Sequence, residues 1–233
     1  MQRATGDLPR EQAQWICASW RRAASQAMGW ALAIGLAAGG CDGPGSEREP
    51  VLPAGVRLAK LLDSMHVESH WIAGHHVNWH TGDPDGRPVP LEGHHSHCSA
   101  FVAAVAEKLG VEILRPPEHT QVLLANAQCE WLENEGRRIG WEKVATALEA
   151  QRNANRGMLV VACHVDPDPM LPGHIAIVRP DALTRRRIET EGPQVTQAGV
   201  ENFRSTTLAE GLRYHPGAWA NRAIVFYAHD ASP

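Results

Sequence analysis

The stretch MLVVACHVDPDPMLPGHIAIVRP, residues 158–180, carries the strongest strand signals in the sequence. Two short runs of apolar, β-branched residues flank the segment DPDPMLPG, whose composition favours a turn. This pattern predicts two strands of one antiparallel hairpin. A third strand is predicted near residues 194–198, and NRAIVFYAH, residues 221–229, predicts a fourth.

Helical spacing of apolar residues dominates the chain before this hairpin. Four helices are predicted, over residues 56–67, 98–109, 118–134 and 141–153. Gly110 ends the second of them. Helices followed by strands predict an α+β fold, in which the helices cover one face of a small antiparallel sheet.

The first 41 residues have the order of a secretion signal. Arg21 and Arg22 precede the apolar run MGWALAIGLAAGG, and Cys41 closes it. AGGC resembles the lipobox of bacterial lipoproteins, which implies an acylated Cys41 and a location in the cell envelope, with the lipid anchor as the only membrane contact. We expect a linker over residues 42–55 and one domain over 56–233; a buried N-terminal helix is the alternative.

Composition and cysteine number narrow the classes of function. The net charge of −4 provides no broad basic surface, so nucleic acid is not an expected partner. Removal of the signal and acylation of Cys41 leave Cys98, Cys129 and Cys163. The last two are interpreted either as a disulfide or as small buried apolar residues.

The stretch HHSHCSAFVAAVAEKLG, residues 94–110, places Cys98 in the first turn of a predicted helix. Unpaired N–H groups and the helix dipole stabilise a thiolate there, so a lowered pKa is expected. His174, at the start of an apolar strand, is the expected partner that holds an ion pair and protonates a leaving amine. Gln197 is the favoured third residue that orients His174; the alternatives are Gln194, Glu189 and Glu191.

HCSAFVAAVAEKLG followed by GHIAIV resembles the papain-like cell-wall hydrolases of the NlpC-like and CHAP families. The resemblance covers roughly residues 90–200 and implies a papain-like fold that hydrolyses peptide or amide bonds in peptidoglycan without a cofactor. His97 stands where these families usually have Asp, and Ala100 where they usually have Gly, which puts substrate preference in doubt. Related papain-like folds also carry out acyl transfer.

The mechanism expected from these residues begins with attack of the Cys98 thiolate on a carbonyl. The N–H of Cys98 and a donor from residues 78–80 would bind the oxyanion. His97 is expected to tune the pKa of the thiol or to contact substrate, and Trp79 to bind substrate as part of the cleft wall.

Two other interpretations remain open. The first is a zinc-dependent hydrolase, because histidine imidazoles and a cysteine sulfur are zinc-ligand types; the candidate ligands are His75, His76, His80, His94, His95, His97 and Cys98. The absence of an H-E-x-x-H or C-x-x-C pattern argues against it. The second is a non-catalytic envelope module, which predicts an ordinary thiol pKa for Cys98.

Overall fold

A computed structural model describes residues 47–89, 95–168 and 170–231. Its central feature is an open sheet of six strands with the order β1-β6-β2-β3-β4-β5, in which every neighbouring pair is antiparallel. The strands are β1 Glu142–Val144, β2 Leu159–His164, β3 His174–Val178, β4 Gln194–Gln197, β5 Phe203–Thr207 and β6 Ile224–His229. The α+β class predicted from the sequence is therefore confirmed.

The hairpin predicted from residues 158–180 forms the middle of this sheet. β2 pairs with β3, and His164 lies opposite His174 in the register. The predicted third and fourth strands are β4 and β6, which flank the hairpin on its two sides. Edge strands β1 and β5 were not predicted from the sequence.

Six α-helices lie in the described part of the chain. They are α1 Pro53–Ser64, α2 Cys98–Lys108, α3 Leu124–Glu133, α4 Ala147–Asn155, α5 Arg185–Glu191 and α6 Leu208–Gly211, with a 3-10 turn at Gly136–Ile139. No helix among the described residues is both long and apolar enough to cross a bilayer.

Three of the predicted helices begin at other residues. Helix α1 starts at Pro53, and its first turn tolerates proline because the first N–H groups of a helix lack partners. Helix α3 starts only at Leu124. Helix α4 starts at Ala147 because the Thr146 side chain accepts a hydrogen bond from the N–H of Glu149 and caps it. The prediction of helix from residue 141 was wrong, since β1 pairs with β6.

Helices cover both faces of the sheet, so the prediction of one covered face was also wrong. Along β2, Leu159, Val161 and Cys163 pack in the core with α1, α2 and α3. The alternate residues Val160 and Ala162 pack in a second core with α4 and α6. Because strand side chains alternate between faces, these two cores lie on opposite sides of the sheet.

Residues 48–52 are attached to the domain and do not form a free linker. Arg48 bridges to Thr184, and the N–H of Leu52 donates to the carbonyl of Asn155 over 2.9 Å. The linker boundary predicted at residue 55 therefore falls inside α1. The predicted signal and Cys41 lie outside the described residues.

Candidate active site

Cys98 is the first residue of α2, as the sequence predicted. The helix packs against β3, and residues 98–106 are all buried. The backbone N–H groups of Ile175, Ser99 and Cys98 itself are directed at the sulfur. Cys98 therefore lies beside the first turn of its own helix and beside the second residue of β3.

The electrostatics of the thiol differ from the expectation. Burial raises the pKa of Cys98, and the three N–H groups, which favour the thiolate, only partly oppose this effect. The residue is 4% exposed and packs in an apolar core. The expected lowered pKa was therefore wrong, because helix position alone did not reveal how completely the sulfur loses contact with water. The thiol is neutral at pH 7.

His174 is the first residue of β3 and is held by Gln197. The His174 Nε2 and Gln197 Oε1 atoms are 3.1 Å apart. The Gln197 amide nitrogen donates to the carbonyl of Gly211 over 3.0 Å, which fixes the orientation of the amide. His174 therefore carries its proton on Nε2, and Nδ1 has the free lone pair. Burial lowers the pKa of His174, so the ring is neutral.

Among the four candidates for the third residue, Gln197 is the one that contacts the imidazole. The Gln194 amide donates instead to the Ser205 hydroxyl over 2.8 Å. Glu189 and Glu191 form ion pairs with arginines of their own helix, α5. Gln197, which the sequence predicted on a neighbouring antiparallel strand, is therefore the residue that contacts His174.

The sulfur of Cys98 lies beside the second residue of β3, and His174 is the first residue of that strand. Ile175 points into the core that contains Cys98, whereas His174, one residue earlier, lies on the face that carries His164. In the part of the chain described by the structure, no hydrogen bond joins Cys98 to His174. The ion pair expected from the sequence is therefore not the resting arrangement.

Two more histidines surround His174, and the sequence analysis did not select either of them. The ring of His215 lies 5.6 Å from that of His174 and 5.1 Å from that of His164. Burial, followed by repulsion from His174 and His164, lowers the pKa of His215 to about 4. His215 follows α6, and only the fold brings it to the β2–β3 hairpin.

His97 and Trp79, the other predicted site residues, have structural contacts. The His97 Nε2 atom donates to the carbonyl of His75 over 2.8 Å, and burial lowers the pKa of the ring. Trp79 is half-buried, with the Arg115 guanidinium over its ring at 5.6 Å. Among the described residues, neither side chain bonds to Cys98 or His174.

An oxyanion donor from residues 78–80 stays a prediction. The Asn78 side-chain oxygen accepts a hydrogen bond from the N–H of His80 over 2.9 Å, which is a local turn contact. The N–H of Ile175, by contrast, is directed at the Cys98 sulfur. A donor near the nucleophile therefore comes from β3, which the sequence alone did not indicate.

The histidine-rich loops do not converge on a common point. His76 pairs with Asp85 at 2.9 Å, and His80 pairs with Glu107. His95 has a buried Nε2 atom without a hydrogen-bond partner, and His94 lies outside the described residues. Over residues 47–89 and 95–97, these loops supply no set of three metal ligands.

Cys129 and Cys163 are free thiols in the structure. Both are buried, and the Cys163 thiol is hydrogen-bonded to Cys129 and also lies near Cys98. Burial, followed by contact with Cys129, raises the pKa of Cys163 well above its usual value. This agrees with the interpretation of the pair as small buried residues.

A cleft of about 770 Å³ lies between α3 and the strands β2 and β6. Its lining includes Asn126, Cys163, Asp166 and Tyr227. Asn126 also fixes the loop before His174, because its side chain accepts from the N–H of Gly173 over 2.8 Å and donates to the carbonyl of Leu171 over 3.0 Å. One side chain, Asn126, therefore both lines the cleft and holds the loop that leads into His174.

Comparison with protein-family models and with curated proteins finds no match to this chain.

Proposed function

We propose that the protein is a thiol hydrolase of peptide or amide bonds, with a papain-like arrangement of Cys98, His174 and Gln197. One observation supports this most: Gln197 holds the Nε2–H of His174 and leaves Nδ1 as a base, while the N–H of the next residue, Ile175, is directed at the Cys98 sulfur. A nucleophile, a base and an orienting amide are the groups that acyl transfer through a thiol requires.

The resting pair is neutral in this proposal. Burial raises the pKa of Cys98 and lowers that of His174, so a preformed thiolate–imidazolium pair is not favoured. The thiol proton therefore passes to Nδ1 of His174 as the sulfur attacks the substrate carbonyl. This step requires a movement that brings the ring to the sulfur.

The remaining steps restore both groups. The N–H groups at the sulfur stabilise the oxyanion of the tetrahedral intermediate. The His174 imidazolium then gives its proton to the leaving amine as the C–N bond breaks, and a thioester on Cys98 remains. Water attacks the thioester and loses a proton to Nδ1; the acid is released, and the imidazolium returns the proton to the thiolate.

The proposed substrate is the stem peptide of peptidoglycan, which rests on the resemblance to cell-wall hydrolases. The cleft of about 770 Å³ is large enough for part of a short peptide, and its lining includes none of Cys98, His174 and Gln197. The envelope location and the lipid anchor at Cys41 belong to the same proposal.

The test is digestion of purified peptidoglycan by the full chain, followed by mass spectrometry of the soluble products. Wild type should release peptides, and Cys98→Ala should release none while it unfolds at the same temperature. Cys129→Ala is the matched control for folding, because it also removes a buried thiol, at 5% exposure against 4% for Cys98. The proposal is contradicted if Cys98→Ala retains activity.

The same experiment separates the alternatives. A non-catalytic envelope module would bind peptidoglycan and release nothing, even as wild type. A zinc-dependent hydrolase would lose activity with a chelator, whereas the proposed thiol hydrolase would keep it. A transferase would join the acyl group to an added amine, which a mass shift of the product reveals.

A further inference from the structure

Three potential metal ligands meet at the end of the β2–β3 hairpin that carries the connecting loop, on the side of His174. His164 ends β2, Asp166 follows two residues later, and His215 comes from the loop between α6 and β6. One ligand atom from each lies within 4.8 Å of the other two. Atoms bound to one tetrahedral zinc ion at about 2.0–2.1 Å lie roughly 3.4 Å apart. Small side-chain rotations would therefore bring all three onto one ion.

A backbone contact of His164 leaves its Nε2 atom available as a metal ligand. Its Nδ1 atom lies 3.4 Å from the carbonyl oxygen of Ala223, which accepts hydrogen bonds and therefore requires the proton on Nδ1. This leaves the lone pair on Nε2. A backbone carbonyl on the second ring nitrogen is the usual partner that orients metal-binding histidines.

The fold also holds the other two ligands in place. The ring of His215 packs against those of His164 and His174. One carboxylate oxygen of Asp166 accepts a hydrogen bond from the N–H of Asp168 over 2.9 Å, which defines the path of the loop. Asp166 also lines the cleft of about 770 Å³, so the group can be reached from solvent.

We propose that His164, Asp166 and His215 bind one divalent transition-metal ion of the zinc class. Two imidazoles and one carboxylate suit zinc, cobalt and nickel better than calcium or magnesium, which prefer oxygen ligands. Three protein ligands leave a fourth position for water or another small molecule. The site differs from the zinc site predicted in the histidine-rich loops and does not depend on the thiol chemistry of Cys98.

The experiment is a titration of the full chain, first stripped with a chelator, with Co²⁺ monitored by visible absorption and with Zn²⁺ monitored by calorimetry. Wild type should bind one ion through this group. The visible absorption of bound Co²⁺ should be that of an ion with a low coordination number. His215→Ala and Asp166→Asn should each weaken binding by more than the roughly 10–100-fold that the loss of an outer partner costs.

Two matched variants make the test specific. His119→Ala removes a histidine that lines the same cleft outside the ligand group, and His80→Ala removes one from the histidine-rich loops. Both should bind as wild type does. If His215→Ala does not fold, the test relies on Asp166→Asn alone. This variant should fold, because asparagine has nearly the shape of aspartate and the side chain lies near the surface. The proposal is overturned if wild type binds no ion, or if binding survives both ligand variants.

Discussion

Shortening Gln197 should both destabilise the protein and release His174. In Gln197→Ala, the Nε2–H of His174 and the carbonyl of Gly211 lose the partners that now lie 3.1 Å and 3.0 Å away. An unpaired buried polar group costs about 1–3 kcal/mol, so two of them cost roughly 2–6 kcal/mol of unfolding free energy.

Gln194→Ala is the matched control, because it shortens a second buried glutamine of β4. Its amide contacts only the Ser205 hydroxyl at 2.8 Å, and its side-chain oxygen has no partner in the described structure. Loss of one ordinary hydrogen bond costs about 0.5–1.5 kcal/mol. Urea unfolding measures both variants.

A second readout on the same variants examines the ring itself. The ¹⁵N shifts of His174, recorded in the presence of a chelator, show which nitrogen carries the proton. Wild type and Gln194→Ala should show the proton on Nε2, and Gln197→Ala should show a mixture of both tautomers. Equal stability losses in the two variants, or an unchanged tautomer in Gln197→Ala, would contradict the role of Gln197 in holding the Nε2–H of His174.

Two further predictions concern the backbone before His174 and the start of α2. In Gly173→Ala, the new Cβ would lie 2.2 Å from the His164 carbonyl oxygen and 2.4 Å from the Asn126 side-chain oxygen, so unfolding free energy should fall by about 1–3 kcal/mol and hydrolysis should slow; unchanged melting would contradict this. Because burial lowers the folded pKa of His97, the unfolded state binds more protons below pH ~6.5, and stability should fall as the pH falls below that value. The contribution of His97 alone to this slope is at most about 1.4 kcal/mol per pH unit, and His174 and His215 add to it in the same direction. His97→Gln, which can still donate to His75, should reduce that slope in urea unfolding between pH 5 and 7; an equal slope would show that other groups cause it.

The sequence predicted the centre of the sheet because its signals there are local. The runs around DPDPMLPG predicted β2 and β3, and Gln197 was favoured beside His174 because a neighbouring antiparallel strand would place a mid-strand residue there. The unbroken apolar run LVVAC also indicates a strand buried on both faces, which predicts helices on both sides of the sheet. The prediction that helices cover only one face of the sheet did not take this signal into account.

Other features depend on contacts between distant residues, which no local pattern reveals. Residues 142–144 look helical beside α4, but their pairing with β6 makes them a strand. The strand FRSTT has little apolar character because it forms an edge of the sheet. The neutral state of Cys98 follows from complete burial, and a helix N-terminus alone suggests the opposite. His215 joins His164 and Asp166 only because α6 and β6 bring its loop there.

The most direct test of the central claim is the rate at which iodoacetamide modifies Cys98, measured by peptide mass spectrometry at pH 7 with a chelator present. If His174 is the base for Cys98, His174→Ala should lower this rate by roughly 10²-fold, the lower end of what a positioned base contributes, and Cys129 labelling should not change. Equal rates in wild type and His174→Ala would contradict the assignment of His174 as the base for Cys98.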